Sequence, residues 1–495
     1  MSAKNLTDRI IFGLKVKQAR LERGMSFQEL ANRTGMSVSY LNEIEKGKKY
    51  PKADKIRLLA EALGIPEAAL STPRLKGPLA PVERLLRSNF LNELPLDLFG
   101  IELPKVVEII ANAPTRVGAF ISTLVELARN YAVGQQHFYF ASLRSYLELH
   151  SNYFEEIEQK VDEFVERHHV PTQGRVPLKL LEQLLERTYG YTIVPNGLDP
   201  YPELQHIRSV FLPKSKWLLL NSRLTETQKA FQLGKELGFN YQKLKARAYT
   251  ASLLRVHSFE EVISHFKAGY FSAALLINRN SFIKDLQAFF ASPHWNSTYL
   301  LQLLDKYGAS PEMLVQRMTN LLPSHFGIEK LFALRITQTP STGVYKVDKE
   351  LYLNHDHRLH SNERSEHYCR RWRSISLLKE LYQQQVNGPS RTIAAAQRSV
   401  FHNGDEYLSI TIARAAYPTP DQNVSMTLGL LIDDALKEKV SFLNDPTIPT
   451  QLVNLTCERC ELTECVDRAA PPIVVQQKQA RRRVHEILQK LIEEE

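Results

Sequence analysis

Residues 25–47 have the sequence MSFQELANRTGMSVSYLNEIEKG, and this stretch decides the fold of the N-terminal part of the chain. Ser26 stands before a helical pattern and Glu29 follows three residues later, which is the sequence signature of a capped helix start. A tight turn at Gly35 separates this helix from a second one, predicted over 38–46. Two short helices joined by a glycine-containing turn predict a helix-turn-helix.

Two further helical patterns flank this motif. The first ends at Gly24, and Phe12, Val16 and Ala19 recur in it at helical spacing. The second ends at Gly64, and its apolar face consists of Ile56, Leu59, Ala60 and Leu63. We therefore predict an N-terminal domain of four to five helices over residues 1–72.

The stretch at 25–47 resembles the Cro/C1-type (XRE) family of DNA-binding domains. The resemblance implies that the helix over 38–46 enters the major groove of a double-stranded DNA operator. Because Leu41 and Ile44 point into the core, the opposite face is available for base edges. The residues predicted on that face are Val38, Ser39, Asn42 and Glu43. The other predicted DNA contacts, which include the phosphate-binding lysines, are Ser26, Gln28, Ser37, Lys46, Lys48 and Lys49.

The charge distribution favours the same interpretation. The 495 residues carry a net charge of +9, and residues 1–70 hold 13 Lys and Arg against 8 Asp and Glu. A basic N-terminal domain on a nearly balanced body is typical of proteins that bind nucleic acid. The alternative is a helical protein-interaction module with an incidental basic rim.

The composition excludes several classes of protein. With 43% hydrophobic residues, the chain has enough apolar material for packed cores. No stretch approaches the roughly 18 consecutive apolar residues of a membrane span, and the N-terminus lacks the apolar segment of a secretory signal. We expect a cytoplasmic protein with no membrane partner.

A Pro- and Gly-rich linker at 73–81 separates the N-terminal domain from a helical region that we place over 73–175. A long amphipathic helix is predicted over 138–168. Shorter helices are predicted at 82–98, 103–112 and 116–133. Because helix-turn-helix proteins usually bind paired half-sites, we expect this region to hold a homodimer together.

Residues 176–322 have an α/β pattern, with a helix at 178–189 before a strand at 191–194 and a hairpin at 209–221. The pattern resembles the ImmA/IrrE metallopeptidase-like domain, whose active members bind zinc through a His-Glu-x-x-His helix. Here Lys235 and Phe239 stand at the two His positions, and only Glu236 remains. The segment before Ala268 also lacks an acidic third ligand. We therefore expect no peptidase activity and a protein that is not an enzyme.

Strand patterns predominate after residue 323, with one helix predicted at 374–384. The predicted strands lie at 331–337, 343–353, 392–401, 407–413 and 426–433. They predict an α+β sensor domain over 323–472. The whole chain is therefore predicted to be multidomain and predominantly α, with an α+β sensor region.

The cysteines form an uneven pattern. Cys457, Cys460 and Cys465 lie within nine residues, and the fourth, Cys369, lies far upstream. Without an export signal the thiols are expected to be reduced, so their clustering indicates metal binding. Four thiolates suit an iron–sulfur cluster, such as a [4Fe–4S] cluster, or a structural zinc, and the spacing leaves both open.

The order of these parts resembles the short-chain fatty acyl-CoA regulators, a family that includes the mycobacterial propionate-catabolism regulators. Besides the first two domains, the resemblance rests on a Cys-x-Arg-Trp element at 369–372 and on CERCELTECVDRAAPP at 457–472. It implies DNA binding controlled by an acyl-CoA effector and by an iron–sulfur cluster that the four cysteines hold. The segment 347–369 departs from the family's pattern, and no residue is assigned to binding the effector.

Two features lie outside these assignments. A polar segment contains His355, His357, His360 and His367, which predicts a solvated loop, with a second metal site as the alternative. The tail at 473–495 has apolar residues at helical spacing and predicts an amphipathic helix that docks or dimerises.

Overall fold

The computed structural model describes residues 6–72, 135–250, 256, 258–353, 366–389, 391–419 and 421–493. The chain divides into two compact units, residues 1–142 with 257–259, and residues 143–256 with 260–495. The linker predicted at 73–81 and the helices predicted at 82–98, 103–112 and 116–133 lie outside the described residues.

The first unit contains the predicted bundle of five short helices. They are α1 (Leu6–Glu22), α2 (Phe27–Thr34), α3 (Val38–Glu45), α4 (Ala53–Ala62) and α5 (Glu67–Ser71). The predicted apolar faces meet in one core, in which Leu30, Leu41, Ile44 and Leu59 are fully buried. The prediction of a four- to five-helix N-terminal domain is confirmed.

Two glycines allow α1 to approach the end of α3. A Cβ atom at Gly13 would lie 2.3 Å from the carbonyl oxygen of Ile44, and one at Gly47 would lie 2.9 Å from the Cα atom of Ile10. Gly47 also has a φ of +68°, a conformation that side chains with a Cβ rarely adopt. The α3 helix is therefore fixed against α1 at close backbone distance.

Eleven further helices lie in the rest of the described chain. They are α6 (Gln135–Leu149), α7 (Glu155–His168), α8 (Leu178–Tyr189), α9 (Glu226–Tyr241), α10 (Phe259–Leu276), α11 (Arg279–Ala291), α12 (Ser297–Tyr307), α13 (Pro311–Phe326), α14 (Arg373–Asn387), α15 (Asp434–Lys439) and α16 (Ile473–Glu493). None of the described helices is long and apolar enough to cross a membrane.

The single helix predicted over 138–168 is wrong, because the chain forms α6 and α7 with a break between them. Ser151 and Asn152 adopt positive φ angles of 47° and 54°, which end the helix. Tertiary contacts hold this turn. The side-chain amide of Asn152 donates to Thr319 Oγ1 at 3.0 Å, and the backbone carbonyl of Asn152 accepts from the side-chain amide of Asn320 at 2.8 Å. Local periodicity carries no information about such long-range partners.

The described strands form two sheets, whose positions agree largely with the strands predicted from the sequence. The first has the order β1-β3-β2 and consists of β1 (Thr192–Val194), β2 (Ser209–Leu212) and β3 (Trp217–Leu220). The second has the order β5-β4-β8-β7-β6-β9. Its strands are β4 (Leu331–Thr339), β5 (Val344–Tyr352), β6 (Ile393–Phe401), β7 (Glu406–Ala415), β8 (Asn423–Leu431) and β9 (Thr450–Val453).

The sequence patterns locate five of the six strands in the second sheet but miss β9. This four-residue strand pairs in parallel with β6, from Arg398–Thr450 to Phe401–Val453. Helix α14 packs across β6, β7 and β8 and buries Ile375 and Leu378 against the sheet. Strand β9 leads directly into the cysteine-rich segment, so the sheet edge fixes where that segment begins.

A buried ion pair connects α7 to α13. Arg317 Nη2 donates to Glu158 Oε2 at 2.8 Å, and both side chains are almost fully buried. The hydroxyl group of Tyr270 on α10 also donates to Glu158 at 2.8 Å. Although burial alone would raise the pKa of Glu158, the charge of Arg317 lowers it, so the carboxylate stays ionised within the core.

Candidate functional site

The two helices of the helix-turn-helix begin at the predicted caps. Ser26 Oγ accepts a hydrogen bond from the Glu29 amide at 3.2 Å, and Glu29 Oε2 accepts one from the Ser26 amide at 2.7 Å. Ser37 Oγ likewise accepts from the amide of Tyr40 at 3.2 Å. Both serines are exposed, so the starts of α2 and α3 face solvent.

Helix α3 presents one buried and one accessible face. Leu41 and Ile44 are fully buried, whereas Val38 is 38% exposed and lies on the opposite side. Ser39 is exposed, and Asn42 and Glu43 are half-buried on the accessible face. The structure therefore places the four predicted base-reading residues together on one surface of α3.

The lysines after α3 are not equivalent. Lys46 and Lys48 are exposed, but Lys49 Nζ lies 2.8 Å from Glu43 Oε2. The hydrogen bond that Lys49 donates to the Glu43 carboxylate raises the pKa of Lys49. Since Glu43 is engaged by Lys49, Asn42 is the better placed of the two polar residues for hydrogen bonding to a base edge.

Sequence patterns missed the ion pair that holds α3 in place. Arg20 on α1 forms two hydrogen bonds with Glu45 on α3, at 2.7 and 2.9 Å, and both residues are buried. Arg20 also donates to the carbonyl of Met25 at 2.9 Å and lies over the ring of Phe27 at 4.1 Å. Charged residues in a helical pattern predict a solvated face, and only the packed structure shows that these two meet.

In the second unit, helix α9 carries the remnant of the peptidase motif. Lys235, Glu236 and Phe239 are all buried, with 4–6% of their surface exposed. Glu236 accepts hydrogen bonds from Arg247 Nη2 at 2.7 and 2.9 Å and from the Tyr191 hydroxyl at 3.0 Å. Its carboxylate is thus a structural anion rather than a solvent-facing base.

Lys235 occupies the position of the first missing histidine. Its ammonium group contacts the imidazole of His265 on α10 and lies 5.9 Å from the ring centre of Phe239. Burial lowers the pKa of Lys235 to about 7, although the charge of Glu236 acts in the opposite direction. A lysine stands here at a position where active relatives of this fold have a zinc-binding histidine.

Further cations lie around Glu312 at the start of α13. Arg414 Nη2 lies 3.1 Å from Glu312 Oε2, and Arg335 Nε lies 3.6 Å from Glu312 Oε1. Arg208 and Lys349 also interact electrostatically with Glu312.

The cysteines come together through a β-bridge between Tyr368 and Thr456. The Cys369 amide donates to the Leu455 carbonyl at 3.1 Å, and the Cys457 amide donates to the His367 carbonyl at 2.8 Å. Cys369, Cys457 and Cys460 are buried and Cys465 is half-buried, and all four are free thiols. Burial, and then the charges of Cys457 and Cys460, raise the pKa of Cys369.

Arg468 holds the cysteine-rich segment in shape. Its guanidinium donates to the carbonyls of Cys457 at 2.8 Å, Cys460 at 3.3 Å and Leu462. The amide of Ala469 points at the sulfur of Cys457, 3.3 Å away. Arg468 thus fixes the backbone of the segment, and one backbone N–H group is aimed at a sulfur.

The donor set fits a sulfur-ligated group in its chemistry, four free cysteines, and in the burial of three of them. Across the described ranges, however, no three or more His, Cys, Asp or Glu side chains are arranged as a set of ligands for one metal ion. Of the histidine-rich loop, His367 is hydrogen bonded to Glu458 at 2.8 Å, and His355, His357 and His360 lie outside the described residues.

Comparison with known proteins agrees with this geometry. The family model described as helix-turn-helix matches residues 16–70. An HTH-type transcriptional regulator of Sinorhizobium fredii is 33% identical over 70 residues, which cover 14% of this chain and 91% of that protein. The control protein C.BamHI of Bacillus amyloliquefaciens is 36% identical over 58 residues, 12% of this chain and 72% of that protein.

The chain belongs to the XRE-type helix-turn-helix transcriptional regulators. The regulator also contains a second known domain, since the model described as IrrE N-terminal-like domain matches residues 199–319. This match lies inside the range predicted for the degenerate ImmA/IrrE-like domain and confirms the type of domain.

One relative matches nearly the whole regulator. The propionyl-CoA carboxylase regulator of Cereibacter sphaeroides is 23% identical over 501 residues, which cover 94% of this chain and 96% of that protein. Among solved structures, a Mycobacterium tuberculosis transcriptional regulator is 19% identical with a TM-score of 0.47, covering 67% of this chain and 94% of that one.

Two substitutions distinguish a base contact made by α3 from a phosphate contact made by the segment that follows it. Asn42→Ala is expected to remove about 1–3 kcal/mol of discrimination at one base pair, because a bidentate contact to a base edge is lost. Lys48→Ala is expected to weaken binding to all sequences alike and to reduce the salt slope by about one. Selection from random duplexes and anisotropy titrations at several salt concentrations measure the two effects.

The Lys48→Ala variant is also the control for Asn42→Ala, since both shorten an accessible side chain of the same motif. If the Asn42→Ala variant selects the same sequences as the parent regulator, the assigned groove face is wrong.

Proposed function

We propose that the regulator couples operator binding to the state of an iron–sulfur cluster and to a small metabolite, of which an acyl-CoA is the candidate. The observation that carries the proposal is the meeting of Cys369 with Cys457 and Cys460 across the bridge at Tyr368. Cys369 and Cys457 are 88 positions apart in the chain, and free, buried thiols so distant in sequence are rarely brought to one β-bridge without a shared partner. A zinc-stabilised repressor without redox sensing is the alternative.

The four cysteines would hold the cluster, most simply as a [4Fe–4S] centre, which can exchange electrons when bound. The chain's own groups supply the setting: Arg468 orders the segment and burial shields the sulfurs from water. The first turn of α16 is fastened to the same segment, because the Val474 amide donates to the Glu458 carbonyl at 3.1 Å. Loss of the cluster would therefore release both the segment and the start of α16.

An effector acts on DNA affinity only through its different affinities for two states of the regulator. The name of the Cereibacter sphaeroides relative links that protein to propionyl-CoA metabolism. Together with the resemblance to the short-chain fatty acyl-CoA regulators, this supports an acyl-CoA as the effector class.

Peptidase activity is not part of the proposal. The residue pair that would bind zinc in an active relative is a lysine and a phenylalanine here, and Glu236 is engaged by Arg247. A phenyl ring has no lone pair to donate, and an ammonium group repels a metal cation. We infer that the domain serves as a receptor in a cytoplasmic DNA-binding protein that is not an enzyme.

Anaerobic purification with iron, sulfide and zinc analysis tests the proposal directly. The expected result is coloured protein with iron and acid-labile sulfide, whose operator affinity changes when the cluster is oxidised. Colourless protein with one zinc per chain would replace the redox part with the zinc-stabilised alternative.

We also propose that the regulator is a homodimer. The predicted dimerisation region at 73–175 lies largely outside the described residues, but α16 supplies a second candidate surface. Its apolar side chains recur at helical spacing and are 51–59% exposed: Val484, Ile487, Leu488 and Leu491. An amphipathic helix with its apolar stripe in water is stabilised by a partner that covers the stripe.

Ile487→Asp is expected to raise the dissociation constant of the dimer about tenfold or more, because each copy loses a buried apolar contact and gains a charge. Sedimentation equilibrium of the full chain measures the change. Gln489→Asp introduces the same charge on the polar side of α16 and is expected to leave the constant unchanged. Equal constants for both variants and the parent would remove α16 from the dimer interface.

A further inference from the structure

The segment after α3 folds back onto Glu43. The backbone carbonyl of Glu43 accepts hydrogen bonds from the amides of Lys48 at 2.9 Å and Lys49 at 3.2 Å. The carbonyl of Lys48 in turn accepts from Arg9 Nη1 on α1 at 3.4 Å. These contacts anchor the backbone from which the Lys49 side chain extends.

The side chain of Lys49 lies along the accessible face of α3. Its ammonium group is 2.8 Å from Glu43 Oε2 and 5.7 Å from the centre of the Tyr40 ring. Tyr40 and Glu43 are three positions apart, so they are neighbours on the surface of the helix. The ammonium group of Lys49 therefore lies beside the predicted base-reading surface.

Both members of this ion pair remain accessible to a ligand. The side chain of Glu43 is 39% exposed and that of Lys49 is 54% exposed. A carboxylate has several lone-pair sites and an ammonium group has more than one donor, so their mutual contact leaves acceptors and donors free. Exposed ion pairs contribute little to stability, so the fold does not depend on this one.

An acceptor and a donor held side by side match the major-groove edge of a C·G base pair. Cytosine presents its N4 amino group as a donor, and guanine presents O6 and N7 as acceptors. A carboxylate suits the first group and an ammonium group suits the other two. A T·A pair also offers a donor and acceptors, but only guanine places two acceptors on the edge of one base.

We propose that Lys49 reads a base edge together with Glu43, and that this ion pair recognises one C·G base pair of the operator. The role differs from the phosphate contact predicted from the sequence, in which Lys49 is grouped with Lys46 and Lys48. The proposal concerns operator recognition alone, so it does not depend on the cluster or on the effector.

Selection from random duplexes by the full-length regulator is the measurement. The parent is expected to select C·G at one position, where Glu43→Ala and Lys49→Ala each reduce the discrimination about tenfold or more. Both variants are expected to relax the same position, because one pair of side chains reads it. Lys48→Ala is the matched control, since it removes an equal charge from the neighbouring residue and is expected to weaken binding to all sequences alike.

Exchange of the two charges gives a readout that a structural role would not change. In the double variant Glu43→Lys with Lys49→Glu, the donor and the acceptor change places while the ion pair is retained. This variant is expected to select the inverted pair, G·C, at the same position. Continued selection of C·G there would contradict the proposal.

Three further results would overturn it. Lys49 is a phosphate contact if Lys49→Ala weakens binding to all duplexes alike, as Lys48→Ala does. The joint reading is wrong if Glu43→Ala and Lys49→Ala relax different positions, or if the position that they share holds T·A. Because both side chains are exposed, the single variants are expected to keep the melting temperature of the parent, so these outcomes report on recognition.

Discussion

Replacing Glu45 with alanine is expected to destabilise the N-terminal domain by about 3–5 kcal/mol, because it leaves the buried Arg20 guanidinium without its carboxylate. The whole stability of a domain is about 5–15 kcal/mol, so this loss is large enough to unfold much of the domain at physiological temperature. Operator binding should fall with it, although Glu45 itself lies on the buried face of α3, away from the surface that we assign to DNA. Chemical denaturation followed by near-ultraviolet signals, with anisotropy titration of an operator duplex, measures both effects.

Glu67→Ala is the matched control, since it removes an equal charge from the same domain. Glu67 lies 3.9 Å from Arg57 and both side chains are about half exposed or more, so its removal should change stability by less than about 1 kcal/mol. A second variant, Arg20→Met with Glu45→Leu, is expected to recover most of the stability, because no charge is then left unpaired. Equal losses for Glu45→Ala and Glu67→Ala would show that the buried pair does not hold α3.

Replacing Cys457 with serine is expected to abolish metal binding and, with it, the response of operator affinity to oxidation. Cys457 is the central member of the group: its amide is bound across the bridge, its sulfur accepts from Ala469, and its carbonyl accepts from Arg468. A serine hydroxyl keeps the size of the side chain but is not deprotonated at neutral pH, so it supplies no anionic ligand. Metal analysis of the anaerobically purified variant, followed by operator titrations with and without oxidant, measures the loss.

Thr463→Ala changes an exposed residue of the same segment and is expected to retain the metal and the response. Cys369→Ser should behave as Cys457→Ser does, because the proposal requires thiols from both parts of the chain. Full metal content in Cys369→Ser would confine the site to 457–465 and remove the long-range connection on which the sensing proposal depends.

The N-terminal domain could be predicted almost completely from the sequence. Its caps, turns and apolar faces are local signals, and Ser26, Gly35 and Leu41 all lie where these signals place them. The Arg20–Glu45 pair could not be predicted, because its two members are 25 residues apart and each is compatible with a solvated helix face. The strands of the large sheet were predicted from their apolar patterns, but the short β9 has too few residues to show one.

The IrrE-like domain shows a different limit. Sequence comparison identified Lys235 and Phe239 as the residues that replace the zinc ligands, so the loss of the metal site could be predicted. Arg208, Glu312, Arg335 and Arg414 carry no common motif, and they meet only because β4 and β7 pack beside the IrrE-like domain.

Local patterns are enough to predict the features at each end of the chain: short-range capping and turn chemistry predict the helix-turn-helix, and the spacing of thiols predicts a site for sulfur chemistry. Which distant residues complete each site depends on tertiary packing. Ion pairs, bridges and clefts depend on contacts between segments far apart in the chain, and their free energy comes from burial that no local pattern records.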